Sequence, residues 1–149
     1  MRNYEEMKAI LSDIDSDNTV QEMKQYIQHG RVTTYDHCKS VAKLSYDINK
    51  VLSLHADLRV LLVGAMLHDY YLYDWHNKDG GAHDLHGFIH AEIARDNARK
   101  HFGIDDRTCD VVYRHMWPLN LRRIPRTREA WIVCAADKIV SLHETLLRR

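Results

Sequence analysis

Two prolines and six glycines are the only strong helix breakers in 149 residues, and that scarcity leaves little room for anything but a helical fold. Val41, Leu44, Ile48 and Val51 recur at helical spacing, which predicts an amphipathic helix over 33–52 with Thr33 or Thr34 as its cap. His37 precedes Val41 by one helical turn and shares its buried face. Residues 56–71 are nearly all apolar and predict a buried helix that closes on the pair His68-Asp69. Asp79-Gly80-Gly81 predicts a loop over 72–85. Helical character resumes at His86 and stops at Phe102, before Gly103, a usual position for a helix-ending glycine. Asp105 or Asp106 would cap a further helix reaching His115 or Met116, and Pro118 ends it ahead of a basic loop. The last helix runs from Glu129 to Leu147, with Ile132, Ala136, Ile139, Val140 and His143 on or near one face. The first thirty residues read as one or two shorter helices anchored by Ile10, Leu11 and Ile14, with a turn or acidic cap over 13–18. Strand signals are essentially absent. The expectation is an all-α, single-domain helical bundle over 1–149, with its core at about 30–145 and shorter helices in 1–29.

Apolar residues make up 45% and charged residues 28%, a globular balance rather than a disordered one. The 21 Lys and Arg equal the 21 Asp and Glu, so no global field favours nucleic acid or a membrane surface as partner. The start lacks the apolar stretch of a secretory signal, and no apolar run is long enough to span a bilayer. Cys38, Cys109 and Cys134 are odd in number and show no CxxC spacing, which argues against a disulfide framework or a thiolate zinc knot and suits a reducing cytoplasm. Eleven histidines are the compositional oddity.

They direct attention to ligand chemistry. His68 and Asp69 close an apolar run, where a polar, chargeable pair demands a partner, and a cation is the most economical one. On inferred core faces or helix ends lie His37, His68, Asp69, His86, His115 and Asp137, each on a different helix apart from the adjacent pair. Side chains converging from several helices are a common way to build a metal centre. Four imidazoles and two carboxylates exceed what one tetrahedral ion needs, and fit two ions sharing a carboxylate. Such donors suit iron, manganese, zinc, nickel or cobalt, as one or two divalent ions. Asp137 follows Ala135-Ala136 in an apolar stretch, where an unpaired carboxylate would be costly; its alternative partner is an arginine.

His37 in Tyr35-Asp-His-Cys-Lys-Ser-Val-Ala42, the pair in Gly64-Ala-Met-Leu-His-Asp69, and Asp137 in Cys134-Ala-Ala-Asp-Lys138 together resemble the HD-domain metal-dependent phosphohydrolases over about residues 30–145. The resemblance implies that His37, His68, Asp69 and Asp137 hold one ion. His86 and His115, with Asp69 shared, match the positions that give the family's two-metal branch its second ion. Leu85-His86-Gly87 followed by Ala91-Glu-Ile-Ala94 is similar to the branch that includes symmetric diadenosine tetraphosphate hydrolases. The implied reaction is attack by metal-bound hydroxide on a phosphoester or phosphoanhydride of a small molecule, a nucleotide above all, with His68 and Asp69 at the reacting centre. Many members carry a lysine three residues after the Asp of the pair; here that position is Leu72.

Candidate contacts for substrate phosphate are Lys78, Arg122, Arg123 and Arg126; His90, one turn beyond His86, either replaces it as ligand or faces the substrate. The basic run, which also holds Arg128, is equally well read as a solvated loop, and Lys138 as a phosphate contact or a surface lysine. Trp117 and the Tyr70–Tyr73 stretch would stack a nucleobase or simply pack. Two other readings use the same ligands: a di-iron HD-type oxygenase, and a non-catalytic module that binds metal and nucleotide. Oligomeric state is open.

Overall fold

The computed structural model describes residues 4–73 and 86–147, with the side chains of 86–88 and 147 outside that description. The expected loop over 72–85 therefore falls almost wholly outside the described residues, as do Lys78 and the side chain of His86. Helix α1 (Glu5–Asp15) buries Met7, Leu11 and Ile14, a spacing of four and three that puts all three on one face. Asp17 caps the short α2 (Asn18–Gln21) by accepting from Thr19 N at 2.8 Å, and a 3₁₀ turn (Glu22–Gln25) follows. A departure from the helical expectation comes next. Strands β1 (Ile27–His29) and β2 (Val32–Thr33) pair antiparallel around Gly30, whose φ of 59° suits a residue without a side chain.

Thr33 caps α3 (Thr34–Val51), accepting from Asp36 N at 3.1 Å. Asp57 caps α4 (Leu58–Leu67) in the same way from Val60 N at 3.1 Å. This helix is shorter at both ends than the 56–71 expected: Asp57 caps its start, His68 is its C-cap with a backbone still in the right-handed region, and Leu72 takes a left-handed φ of 60°. Helix α5 (His86–Phe102) ends at Gly103, φ 59°. Asp105 caps α6 (Asp106–Arg114), accepting from Thr108 N at 2.8 Å, and α7 (Arg128–Leu147) closes the bundle.

Helix α4 is the axis of the core: Leu61, Leu62, Ala65, Met66 and Leu67 are wholly buried, and α1, α3, α6 and α7 pack around them. On α7 the inward face is only partly the one the sequence suggested. Ile132, Val133, Ala136 and Val140 are buried, but Ile139 is 54% exposed and His143 is exposed, and Glu144 points inward instead. Among the described residues no helix is long and apolar enough to cross a membrane.

Candidate metal centre

The ends of α4 and α6 supply two histidines by one device. His68 and His115 are the residues immediately after each helix, where backbone carbonyls lack partners. His68 Nδ1 donates to Ala65 O at 2.6 Å, and His115 Nδ1 donates to Val112 O at 2.7 Å. A carbonyl can only accept, so both Nδ1 atoms carry hydrogen and both Nε2 atoms are turned inward. His37, within α3, is set similarly: its Nδ1 donates to Glu144 Oε2 at 2.9 Å, from the last turns of α7. His90, from α5, brings a fourth Nε2.

These nitrogens divide around one carboxylate. Asp69 Oδ2 lies 3.4 Å from His37 Nε2 and 3.3 Å from His68 Nε2. Asp69 Oδ1 lies 3.2 Å from His90 Nε2 and 3.3 Å from His115 Nε2. Asp137 Oδ1 completes the first set, 2.9 Å from His37 Nε2 and 3.3 Å from His68 Nε2. Within each set the imidazoles nearly touch: 3.3 Å between the Nε2 atoms of His37 and His68, 3.0 Å between those of His90 and His115. Donor atoms bonded at 2.0–2.1 Å to one ion stand about 3.3 Å apart on a tetrahedron and about 3.0 Å apart on an octahedron. The observed spacings of 2.9–3.4 Å match those edges.

A second observation points the same way. Asp69 Oδ1 is buried yet accepts no hydrogen bond of good geometry, a costly state for a carboxylate unless a cation answers it. The residues present fit divalent ions.

The electrostatics repeat this from the side of the protein. Asp69, Asp137 and Glu144 are three buried carboxylates in one place. Without ions, protons must balance them. Burial alone would push His37 down, but hydrogen bonds to Asp137 and Glu144 outweigh it and hold the imidazole at about 10. Burial also opposes protonation of His68, yet the Asp69 charge raises it well above the usual histidine value. Asp69 and Asp137 are held well below the usual carboxylate range despite burial, Asp69 chiefly by the charge of His68 and Asp137 by hydrogen bonds from His37 and His68. His115 goes the other way: burial pushes it down to about 4, which leaves a neutral ligand at pH 7. The histidines that carry protons stand where a cation's charge is wanted.

Of the expected site residues, His37, His68, Asp69, His115 and Asp137 come together. His90, which the sequence offered as an alternative to His86, joins them; the side chain of His86 is outside the described residues. Two partners were not anticipated. Glu144 lies seven residues after Asp137, two turns along the same face, a spacing that was available to read. Gln28 donates from Nε2 to Asp69 Oδ2 at 2.8 Å, and a lone glutamine before a helix carries no such signal.

Two of the four arginines of the basic run are engaged elsewhere. Arg123 reaches Glu92 Oε2 at 3.4 Å and lies over the Tyr113 ring, 4.0 Å from its centroid. Arg128 donates to Leu54 O and His55 O. Arg122 and Arg126 are exposed. Tyr70 and Tyr71 are buried, so neither ring is open to stack a base, and Trp117 packs edge-on against Trp131. Lys138 donates to His115 O and lies 3.8 Å from Asp137 Oδ2, its side chain 40% exposed.

The sequence model of one family, described as the HD domain, matches residues 34–142. The chain has no match among curated proteins or among solved structures. HD domains are in general metal-dependent phosphohydrolases, and the buried His and Asp cluster is compatible with a metal site. The matched stretch spans every donor of both sets and most of a helical fold, and the chain belongs to the HD domain family.

Proposed function

We propose that the protein is a phosphohydrolase that uses two divalent ions sharing Asp69 to cleave a phosphoester or phosphoanhydride of a small molecule, a nucleotide above all. The observation that carries this reading is the division of Asp69: one oxygen serves His37 and His68, the other His90 and His115. His37, His68, Asp69 and Asp137 would hold the first ion. Asp69, His90 and His115 would hold the second, with His86, one turn before His90 on α5, as a further donor. When bound, such ions supply Lewis acidity, acidifying water and offsetting charge on phosphoryl oxygens.

The chain's own residues do the remaining work. The Nδ1 bonds of His37, His68 and His115 keep three donor nitrogens aimed inward before any ion arrives. The wholly buried rings of those histidines exclude water from the core side. Asp137, whose side chain is 10% exposed, faces the more open side, where Lys138 stands. Lys138 is the proposed phosphate contact there, in place of the lysine that many members carry where this chain has Leu72, and Arg122 and Arg126 are proposed for more distant phosphates. The likeness of the 85–94 stretch to diadenosine tetraphosphate hydrolases makes a dinucleoside polyphosphate the first substrate to try.

The test is a panel of phosphomonoesters, nucleotides and dinucleoside polyphosphates offered to protein loaded with Mn²⁺ or Co²⁺. Metal-dependent release of phosphate or nucleotide is expected, abolished in His68→Ala with the helical circular dichroism retained. Absence of turnover across the panel contradicts the reading. Substrate-dependent dioxygen uptake by an iron-loaded form would replace it with oxygenase chemistry.

A further inference from the structure

Asp69 can face two donor sets only if its carboxylate plane is held, since rotation about the last bond of an Asp side chain is broad and weakly restrained. Imidazole nitrogens at 3.2–3.4 Å on both sides do not select one orientation. A third contact breaks the symmetry: Gln28 Nε2 donates to Oδ2 at 2.8 Å, and Oδ1 receives no equivalent bond. Gln28 is buried and comes from β1, outside the stretch that matches the family.

An amide can present either its oxygen or its nitrogen, and here its partners decide. Tyr71 Oη donates to Gln28 Oε1 at 2.6 Å, and Thr34 Oγ1 donates to the same oxygen at 3.3 Å. With two hydroxyl donors on Oε1, the NH₂ end is left for the carboxylate. Tyr71 is held in turn through the backbone, because Asn97 Nδ2 on α5 donates to Tyr71 O at 3.4 Å and to the preceding carbonyl, Tyr70 O, at 3.1 Å.

We infer that Gln28, oriented by Tyr71 and Thr34, is a positioning residue that fixes the Asp69 carboxylate in the bridging orientation, so that the hairpin determines whether the site holds two ions or one. This rests on the two-ion reading above. Glutamate at position 28 would set a like charge against Asp69, and leucine would remove the donor while keeping an apolar body in a buried place.

The experiment compares wild type, Gln28→Leu, Tyr71→Phe and the double variant by calorimetric titration with Mn²⁺, elemental analysis of bound ion, and electron spin resonance. In wild type two ions bind and their spins are coupled through the shared carboxylate. In Gln28→Leu the weaker-bound ion loses about 10–100-fold in affinity, the usual range for losing a partner of a ligand, and the coupled signal falls. Tyr71→Phe shifts both readouts the same way and by less, and the double variant is no worse than Gln28→Leu, because both act through one amide. A purely packing role would lower the unfolding temperature and leave affinity and coupling unchanged. Wild-type affinities and coupling in Gln28→Leu overturn this inference alone, and if that variant does not fold, the same result in Tyr71→Phe does so. A wild-type protein that takes up fewer than two ions overturns the two-ion reading and this inference with it.

Discussion

At the scale of single residues, His37 shows how a ligand is prepared. Its Nδ1 is held at 2.9 Å by Glu144, which is 4% exposed and so has lost its water. A carboxylate behind a ligating imidazole fixes the ring and raises its basicity. Glu144→Gln is expected to weaken the first ion by about 10–100-fold while the ion on His90 and His115 keeps its affinity; equal loss at both, in a titration resolving two sites, would show a general destabilisation instead. His90→Ala is expected to do the converse. Protonation gives a further check. In ion-free protein at pH 7 both His37, at about 10, and His68, raised well above its usual value, carry protons. Loading must expel them, since a ligand nitrogen cannot keep its proton. Titration in two buffers of different ionisation enthalpy should therefore report release of about two protons; none released would contradict the assignment of these nitrogens. Residues of this kind were legible in the sequence where a motif or a spacing carried them. Gln28 carries neither, because its role depends on a hairpin that brings positions 28 and 69 together.

At the scale of elements, α3, α4 and α6 each start on a side-chain cap. Thr33, Asp57 and Asp105 each accept from a backbone N–H of the first turn, and such caps are worth about 1 kcal/mol apiece. The β1–β2 hairpin escaped because strands of three and two residues are too short for alternation to register. One edge of the α7 face was misjudged: Ile132, Ala136 and Val140 are buried as expected, but Ile139 and His143 are not, and the helix turns Asp137 and Glu144 toward His37 instead. The approach of α4 to α6 has a direct consequence for the site. A Cβ on Gly64 would stand 2.6 Å from Val111 Cγ1 and 2.9 Å from its Cβ. Gly64 lies one turn before His68 and Val111 one turn before His115, and the two rings meet edge to face at 4.7 Å. Gly64→Ala therefore forces the helix ends apart. Overpacking of about 1–3 kcal/mol exceeds or cancels the roughly 1 kcal/mol gained in helix propensity. Unfolding temperature should fall or hold level, while affinity for the second ion drops by about tenfold. Unchanged affinity would mean that this contact does not set the spacing of the ligands.

For the whole molecule, stability and ion binding should respond to pH in opposite senses. The His37 value in the folded state lies above its unfolded value of about 6.5. Its contribution to ion-free protein is thus complete below about 6.5 and is lost as pH rises toward about 10. Asp69 and Asp137 are depressed, so their contributions hold above about 3.9 and vanish as pH falls further. His115, pushed down to about 4 by burial, works against the fold as pH falls below about 6.5, because the unfolded chain takes up its proton there. Ion-free protein should therefore be most resistant to heat near pH 6.5 and weaken above it. Ion-saturated protein gains over that same alkaline range, because binding no longer competes with protons. The gap between the two unfolding temperatures should widen from pH 6.5 to 9; parallel curves would contradict it. The central claim is that two ions share Asp69, and anomalous diffraction at the manganese edge from crystals grown with Mn²⁺ tests it most directly. The account predicts two peaks about 3.5–4 Å apart, one among His37, His68 and Asp137, the other beside His90 and His115, with Asp69 between. A single peak, or peaks away from these residues, would contradict it.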